Sequence, residues 1–140
     1  MLKEKRFLHI ASDEKFINSA YAQFEKSFPK SNIFKIYTNE DNYKIKHVSQ
    51  DVNFDIININ NLDIGAFIEG FEKYDLVLFH GLSIFSSRLI INAPKSTKNF
   101  MVFFGGGKNL IIIPYEPIRE TLYGSKRTRK SFLKIKNQLP

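Results

Sequence analysis

The run Asp75-Leu76-Val77-Leu78-Phe79-His80-Gly81-Leu82 constrains the fold more than any other stretch of the chain. Four consecutive apolar residues follow an acid, and His and Gly then break the run. A short continuous apolar segment of this kind reads as a strand buried on both faces, which belongs in a parallel sheet covered by helices on either side. In such sheets ligands sit just beyond the carboxyl ends of the strands, where His80 and Gly81 stand. Two further strands end in a similar way. Arg6 to Ala11 runs into Ser12-Asp13, and Asn99 to Phe104 runs into Gly105-Gly106-Gly107-Lys108.

Between these strands the pattern alternates. Phe16, Ile17, Ala20, Tyr21, Phe24 and Phe28 repeat at helical spacing, and Pro29 closes the segment. Asn32 to Thr38 and Phe54 to Ile59 read as strands, and Tyr43 to Val48 as an edge strand or loop. Leu62, Phe67, Ile68 and Phe71 outline a second amphipathic helix, weakened by Gly65 and Gly70. Ser83 to Asn92 is apolar nearly all round and reads as a buried helix. Leu110 to Ile113 is a short apolar run, and Pro117 is placed to open a helix reaching Tyr123. Strands alternating with helices predict an α/β, Rossmann-like three-layer domain with a mostly parallel sheet and helices on both faces. The expected division is a domain over 1–124 and a basic linker, or the start of a helix, over 125–140.

Composition excludes several function classes. With no cysteine among the 140 residues, disulfides, zinc-thiolate sites and thiol catalysis are ruled out. No apolar run approaches the roughly 20 residues of a membrane span, and Met1 to Arg6 lacks the apolar core of a signal peptide, so the expected location is cytoplasmic. The formal net charge of +7 is uneven. From Arg119 onward there are seven basic residues against one acid, which leaves the first 118 residues close to neutral. The segment Lys126 to Lys136 is therefore a candidate for an anionic membrane surface, or for nucleic acid by charge alone. No aromatic platform or nucleic-acid motif accompanies it, which makes nucleic acid the poorer partner. A solvated helix face or linker is the plain alternative.

Candidate site residues follow from the strand ends. Gly105, Gly106 and Gly107 would let a backbone approach a phosphate or sugar closely, with Lys108 adding charge. The stretch matches neither the Walker pattern nor G-x-G-x-x-G, and a turn is the alternative. Ser12 and Asp13 stand where the first strand meets the first helix. They would cap that helix, or help its N-terminus bind an anion or sugar hydroxyl, and by location Asp13 is the leading general-base candidate. His80 suits hydrogen bonding to substrate, whereas His9, inside its strand, reads as a satisfied buried histidine. His47 has no supporting context, and three scattered histidines make no metal site.

His9-Ile10-Ala11-Ser12-Asp13-Glu14-Lys15-Phe16, Leu78-Phe79-His80-Gly81-Leu82 and Phe103-Phe104-Gly105-Gly106-Gly107 together resemble the N-terminal half of bacterial glycosyltransferases of the TDP-N-acetylfucosamine:lipid II N-acetylfucosaminyltransferase family. The resemblance implies the N-terminal, acceptor-side domain of a two-domain GT-B enzyme of cell-envelope polysaccharide synthesis. Ser12, Asp13, His80 and Gly105 to Gly107 would line the acceptor side of its cleft. It implies no cofactor. A nucleotide sugar would be the donor, held mainly by a second domain that 140 residues are too few to include, so this chain alone is expected to be inactive. A lipid-linked or polysaccharide acceptor would be the partner, with peripheral attachment at the inner face of the cell membrane. The chain departs from the family where Phe104 replaces a tryptophan and where Lys108 or Gly107 replaces an acid. The alternative is a stand-alone flavodoxin-like or receiver-like module binding a phosphate or nucleotide. A receiver would need an acid where His80 stands.

Overall fold

The computed structural model describes residues 4–93, and the backbone of residues 99–104 and 109–114. In chain order the elements are β1 (Phe7–Ala11), α1 (Phe16–Ser27), β2 (Asn32–Thr38), β3 (Phe54–Asn58), α2 (Ile64–Glu69), a 3₁₀ turn (Gly70–Lys73), β4 (Leu76–His80), α3 (Ile84–Asn92), β5 (Asn99–Phe104) and β6 (Asn109–Pro114). The sheet order is β3-β2-β1-β4-β5-β6. All neighbours pair in parallel except β5 and β6, which form an antiparallel pair. This is an α/β, Rossmann-like fold.

Alternation along the strands decides which layer each side chain enters. Leu8 and Ile10 of β1 and Val77 and Phe79 of β4 face α2 and α3, packing with Ile68, Phe71, Phe85, Leu89 and Ile90. Ala11 of β1 and Phe34 and Ile36 of β2 face the other way and pack with Ile17 of α1. Every residue of β1 is buried, as a strand covered on both faces requires.

The two sides of the sheet are built differently. On one side, α2 and α3 connect β3 to β4 and β4 to β5. On the other, α1 is joined by an irregular segment, residues 39–53, rather than by a helix or an edge strand. That segment inserts Val48 and Val52 into the core beside Ile17. The second amphipathic segment is helical, but Gly70 marks the change from α-helix to 3₁₀ turn. The apolar run at 110–113 is a strand, β6, in register with β5 from Asn99↔Pro114 to Phe104↔Asn109. The segment expected to form a helix at 117–123, the boundary at 124–125 and the basic stretch Lys126 to Lys136 lie outside the described residues.

Candidate functional site

Strand order reverses between β1 and β4: β1 connects outward through β2 and β3, while β4 connects outward through β5. The carboxyl ends of these two strands therefore flank the topological switch point, where open α/β sheets bind ligands. Ser12 and Asp13 leave β1 there, and His80 and Gly81 leave β4. Gly81 has φ +101°, a conformation that side-chain-bearing residues rarely adopt, and a Cβ placed on it would meet nothing within 4 Å. Glycine is thus required by the backbone path, and among the described residues nothing crowds the space above it. After Gly81 the chain turns into α3, whose start is closed by a reciprocal pair. The Ser86 N–H donates to Ser83 Oγ (3.1 Å), and the Ser83 N–H donates to Ser86 Oγ (2.7 Å). The Tyr37 hydroxyl of β2 donates to Ser83 Oγ at 3.1 Å, tying this turn to the sheet.

Beneath the mouth lies a buried polar chain that sequence reasoning missed. Asn32 Nδ2 donates to the carbonyl of Phe28 (3.0 Å), which orients its amide so that Oδ1 faces His9 Nε2 at 2.9 Å. His9 Nε2 must then carry the proton. Burial lowers the His9 pKa, the bond to Asn32 raises it, and the net value is about 4. The ring is therefore neutral near pH 7, so Nδ1 carries a lone pair. His80 Nε2, 2.9 Å away, must be the donor to it. Burial, with His9 beside it, lowers the His80 pKa to about 3. The tautomer of each ring thus follows from the orientation of one asparagine. Aromatic rings complete the casing: Phe34 stacks on His9 at 4.1 Å and 5°, and Phe24 meets it edge-on at 4.7 Å.

This geometry alters the expectations for two site residues. His80 is only 5% exposed and its Nε2 is committed to His9, so it is first a member of the buried chain. His9 is the satisfied buried histidine that its position suggested. Asp13 neither caps α1 nor is available as a base. The residue before α1 is Lys15, with no side-chain cap. Both Asp13 oxygens are already occupied, Oδ2 by the Tyr43 hydroxyl and Lys46 N–H (each 2.7 Å), and Oδ1 by the His47 (3.0 Å) and Val48 (2.9 Å) N–H groups. Burial pushes the carboxyl pKa up, but these four donors outweigh it and hold it at about 2. A base with so low a pKa and no remaining lone pair in position is a poor proton acceptor. Asp13 instead clamps the 39–53 segment to the end of β1. Asn18 of α1 does the same, accepting from the Ser49 N–H (2.7 Å) and donating to the His47 carbonyl (3.0 Å).

Ser12 is part-buried at the end of β1, and its hydroxyl makes no hydrogen bond among the described residues. Gly105, Gly106, Gly107 and Lys108 fall between β5 and β6, outside the described residues. The next described element is β6, a strand antiparallel to β5, whereas in dinucleotide-binding turns a helix follows the glycines. No group of three or more potential metal ligands occurs among the described residues. No helix among them is long and apolar enough to cross a membrane.

The site is therefore the strand-end mouth of a Rossmann-like domain, floored by an uncharged histidine pair. No protein family, curated protein or solved structure matches this chain.

Proposed function

We propose that this is the acceptor-binding domain of a glycosyltransferase that moves a sugar from a nucleotide sugar to a lipid-linked or polysaccharide acceptor. The observation that carries the reading is the meeting of Ser12 with His80-Gly81 at the switch point, where no described residue crowds Gly81. These are the motif residues on which the family resemblance rests. The mouth's chemistry supports the same reading. Its buried histidines are neutral, the Asp13 carboxylate is saturated by the 39–53 segment, and the glycines after β5 precede a strand. Hydroxyl-bearing neutral ligands suit such a surface better than phosphates do. In this reading the nucleotide sugar binds mainly to a second domain, which also supplies the base for the acceptor hydroxyl in place of Asp13. Lys126 to Lys136 hold the enzyme against an anionic membrane.

The test is ligand-dependent thermal stability of the full chain, since only a ligand of the folded state raises Tm. Undecaprenyl-pyrophosphate-linked saccharides and soluble oligosaccharides are expected to raise it, and UDP, TDP and FMN are not. A rise with nucleotide or flavin and none with any saccharide would replace this reading with the phosphate- or nucleotide-binding module.

A further inference from the structure

The sequence places Phe16 on the apolar face of α1, yet its side chain is 49% exposed, whereas Ile17 beside it is fully buried. Large apolar residues standing singly at a surface are ordinary and by themselves mean nothing. The location of this one is what distinguishes it. Phe16 opens α1 three residues after the Ser12-Asp13 strand end, and its ring centroid lies 6.3 Å from that of His80, tilted by 41°. His80 in turn lies 5.1 Å from His9, and His9 stacks on Phe34. An aromatic column thus rises from the core through the histidine pair and ends at Phe16, at the mouth of the switch point. Gly81, which no described residue crowds, follows His80 directly, and Ser12, whose hydroxyl can both donate and accept, follows the end of the adjoining β1, four residues before Phe16.

The chemistry of this surface selects a ligand class. An aromatic face has negative charge density and attracts the weakly positive C–H face of a ring. A hydroxyl next to it pairs with the hydroxyl rim of such a ring. The histidines behind it are held neutral, so the pair itself offers no cation to an anionic group. A pyranose has one apolar C–H face and a rim of hydroxyls, and it meets all of these terms. We propose that Phe16 is the platform on which the acceptor's terminal pyranose stacks, with Ser12 bonding one of its hydroxyls. The proposal rests on the glycosyltransferase reading and names the contact that positions its acceptor.

The test uses the full chain and a panel of methyl pyranosides (glucoside, galactoside, N-acetylglucosaminide), followed by NMR at the Phe16 ring and the Gly81 amide. At least one pyranoside is expected to shift both signals in the wild type, with its C–H protons moved upfield by the ring current. F16Y and F16W keep a ring and should retain affinity within about threefold. F16L keeps apolar bulk without a π face and should weaken binding by roughly fivefold or more. The Asn32 and His9 signals in each variant report whether the floor is intact. Equal pyranoside affinity in F16L and wild type, with Gly81 still shifting, overturns the platform and leaves the acceptor reading standing. Shifts at Gly81 with inorganic phosphate or UDP but with no pyranoside overturn both, as does the absence of any shift.

Discussion

Lowering the pH should destabilise this domain well above the range where carboxylates protonate. The cause is the pair His9 and His80. Both rings are neutral in the fold, with pKa values of about 4 and about 3 against an ordinary 6.5, because burial strips water from the charged form, outweighing the Asn32 bond at His9 and reinforced at His80 by His9 beside it. A group whose pKa is depressed in the folded state contributes stability that is fully present above its unfolded pKa. That contribution is lost as pH falls from the unfolded value toward the folded one. Between about pH 7.5 and about pH 5 the unfolded chain takes up protons on both histidines and the folded chain on neither. The loss is on the order of 2 kcal/mol per ring, or about 4 kcal/mol for the pair. This depends only on both folded values lying well below 5. The pKa of Asp13 is also depressed, but its contribution fades only below about pH 4 and does not enter this window.

A domain of this size has roughly 5–15 kcal/mol in total, so a loss of this order is readily measured by urea denaturation at the two pH values. His80→Gln retains a neutral donor toward His9 Nδ1 and removes one titrating ring. It should halve the pH-dependent loss, whatever it does to stability at neutral pH. Imidazole nitrogen shifts give an independent check: His9 and His80 should both report the Nε2–H tautomer and stay unprotonated down to about pH 5. A wild-type loss under about 1 kcal/mol, or either ring titrating near 6.5, would refute the buried neutral chain.

Asp13→Asn should cost roughly 1–3 kcal/mol by chemical denaturation, because an amide returns one acceptor oxygen to four donors and faces some of them with its own N–H groups. Faster amide exchange at Lys46, His47 and Val48 should accompany it, and unchanged exchange there would remove the clamp. Lys30 has φ +62°, so Lys30→Gly should relieve strain and raise stability by up to about 1 kcal/mol; a lower Tm would mean that the bond from its N–H to Glu25 is lost in the glycine variant. Ser87 is fully buried and its hydroxyl has no partner among the described residues, so Ser87→Ala should be neutral or stabilise by up to about 1 kcal/mol, and a clear destabilisation would show that the hydroxyl is bonded.

Much of the fold was legible because the strands are chemically simple. Leu76 to Phe79 and Phe7 to Ala11 are buried on both faces and read as strands from composition alone. β2 emerged with its bounds intact, Asn32 to Thr38. The 39–53 segment was less legible because polar bonds determine its path. The Asp13 carboxylate and the Asn18 amide gather it, and neither leaves an apolar period in the sequence. The same reason hid the true role of Asp13: four donors from residues 43 to 48 converge on it only once the chain has folded back. The histidine chain left one usable signal. His9 and His80 have the same parity as inward-facing neighbours on strands that a switch-point topology sets side by side. Asn32, the residue that orients them, is the first residue of β2 and looks like an ordinary turn polar in sequence.

The two polar assemblies share an anchor, and that shapes what the mouth can do. Asp13 holds the 39–53 segment against the end of β1, while His9, from the middle of β1, holds His80 at the end of β4. Both walls of the switch point are thereby fixed to one fully buried strand. An alternative built from a single charged network would have carried a net charge into the floor and required a counterion or an anionic ligand to settle it. Here the ionised Asp13 is stabilised by backbone N–H groups and a tyrosine, and the histidine pair is uncharged. The histidine pair in the floor therefore offers a bound ligand no charge of its own. Under the proposed reading, the Ser12 hydroxyl and the Phe16 ring would have to tell one acceptor ring from another by shape and hydroxyl placement.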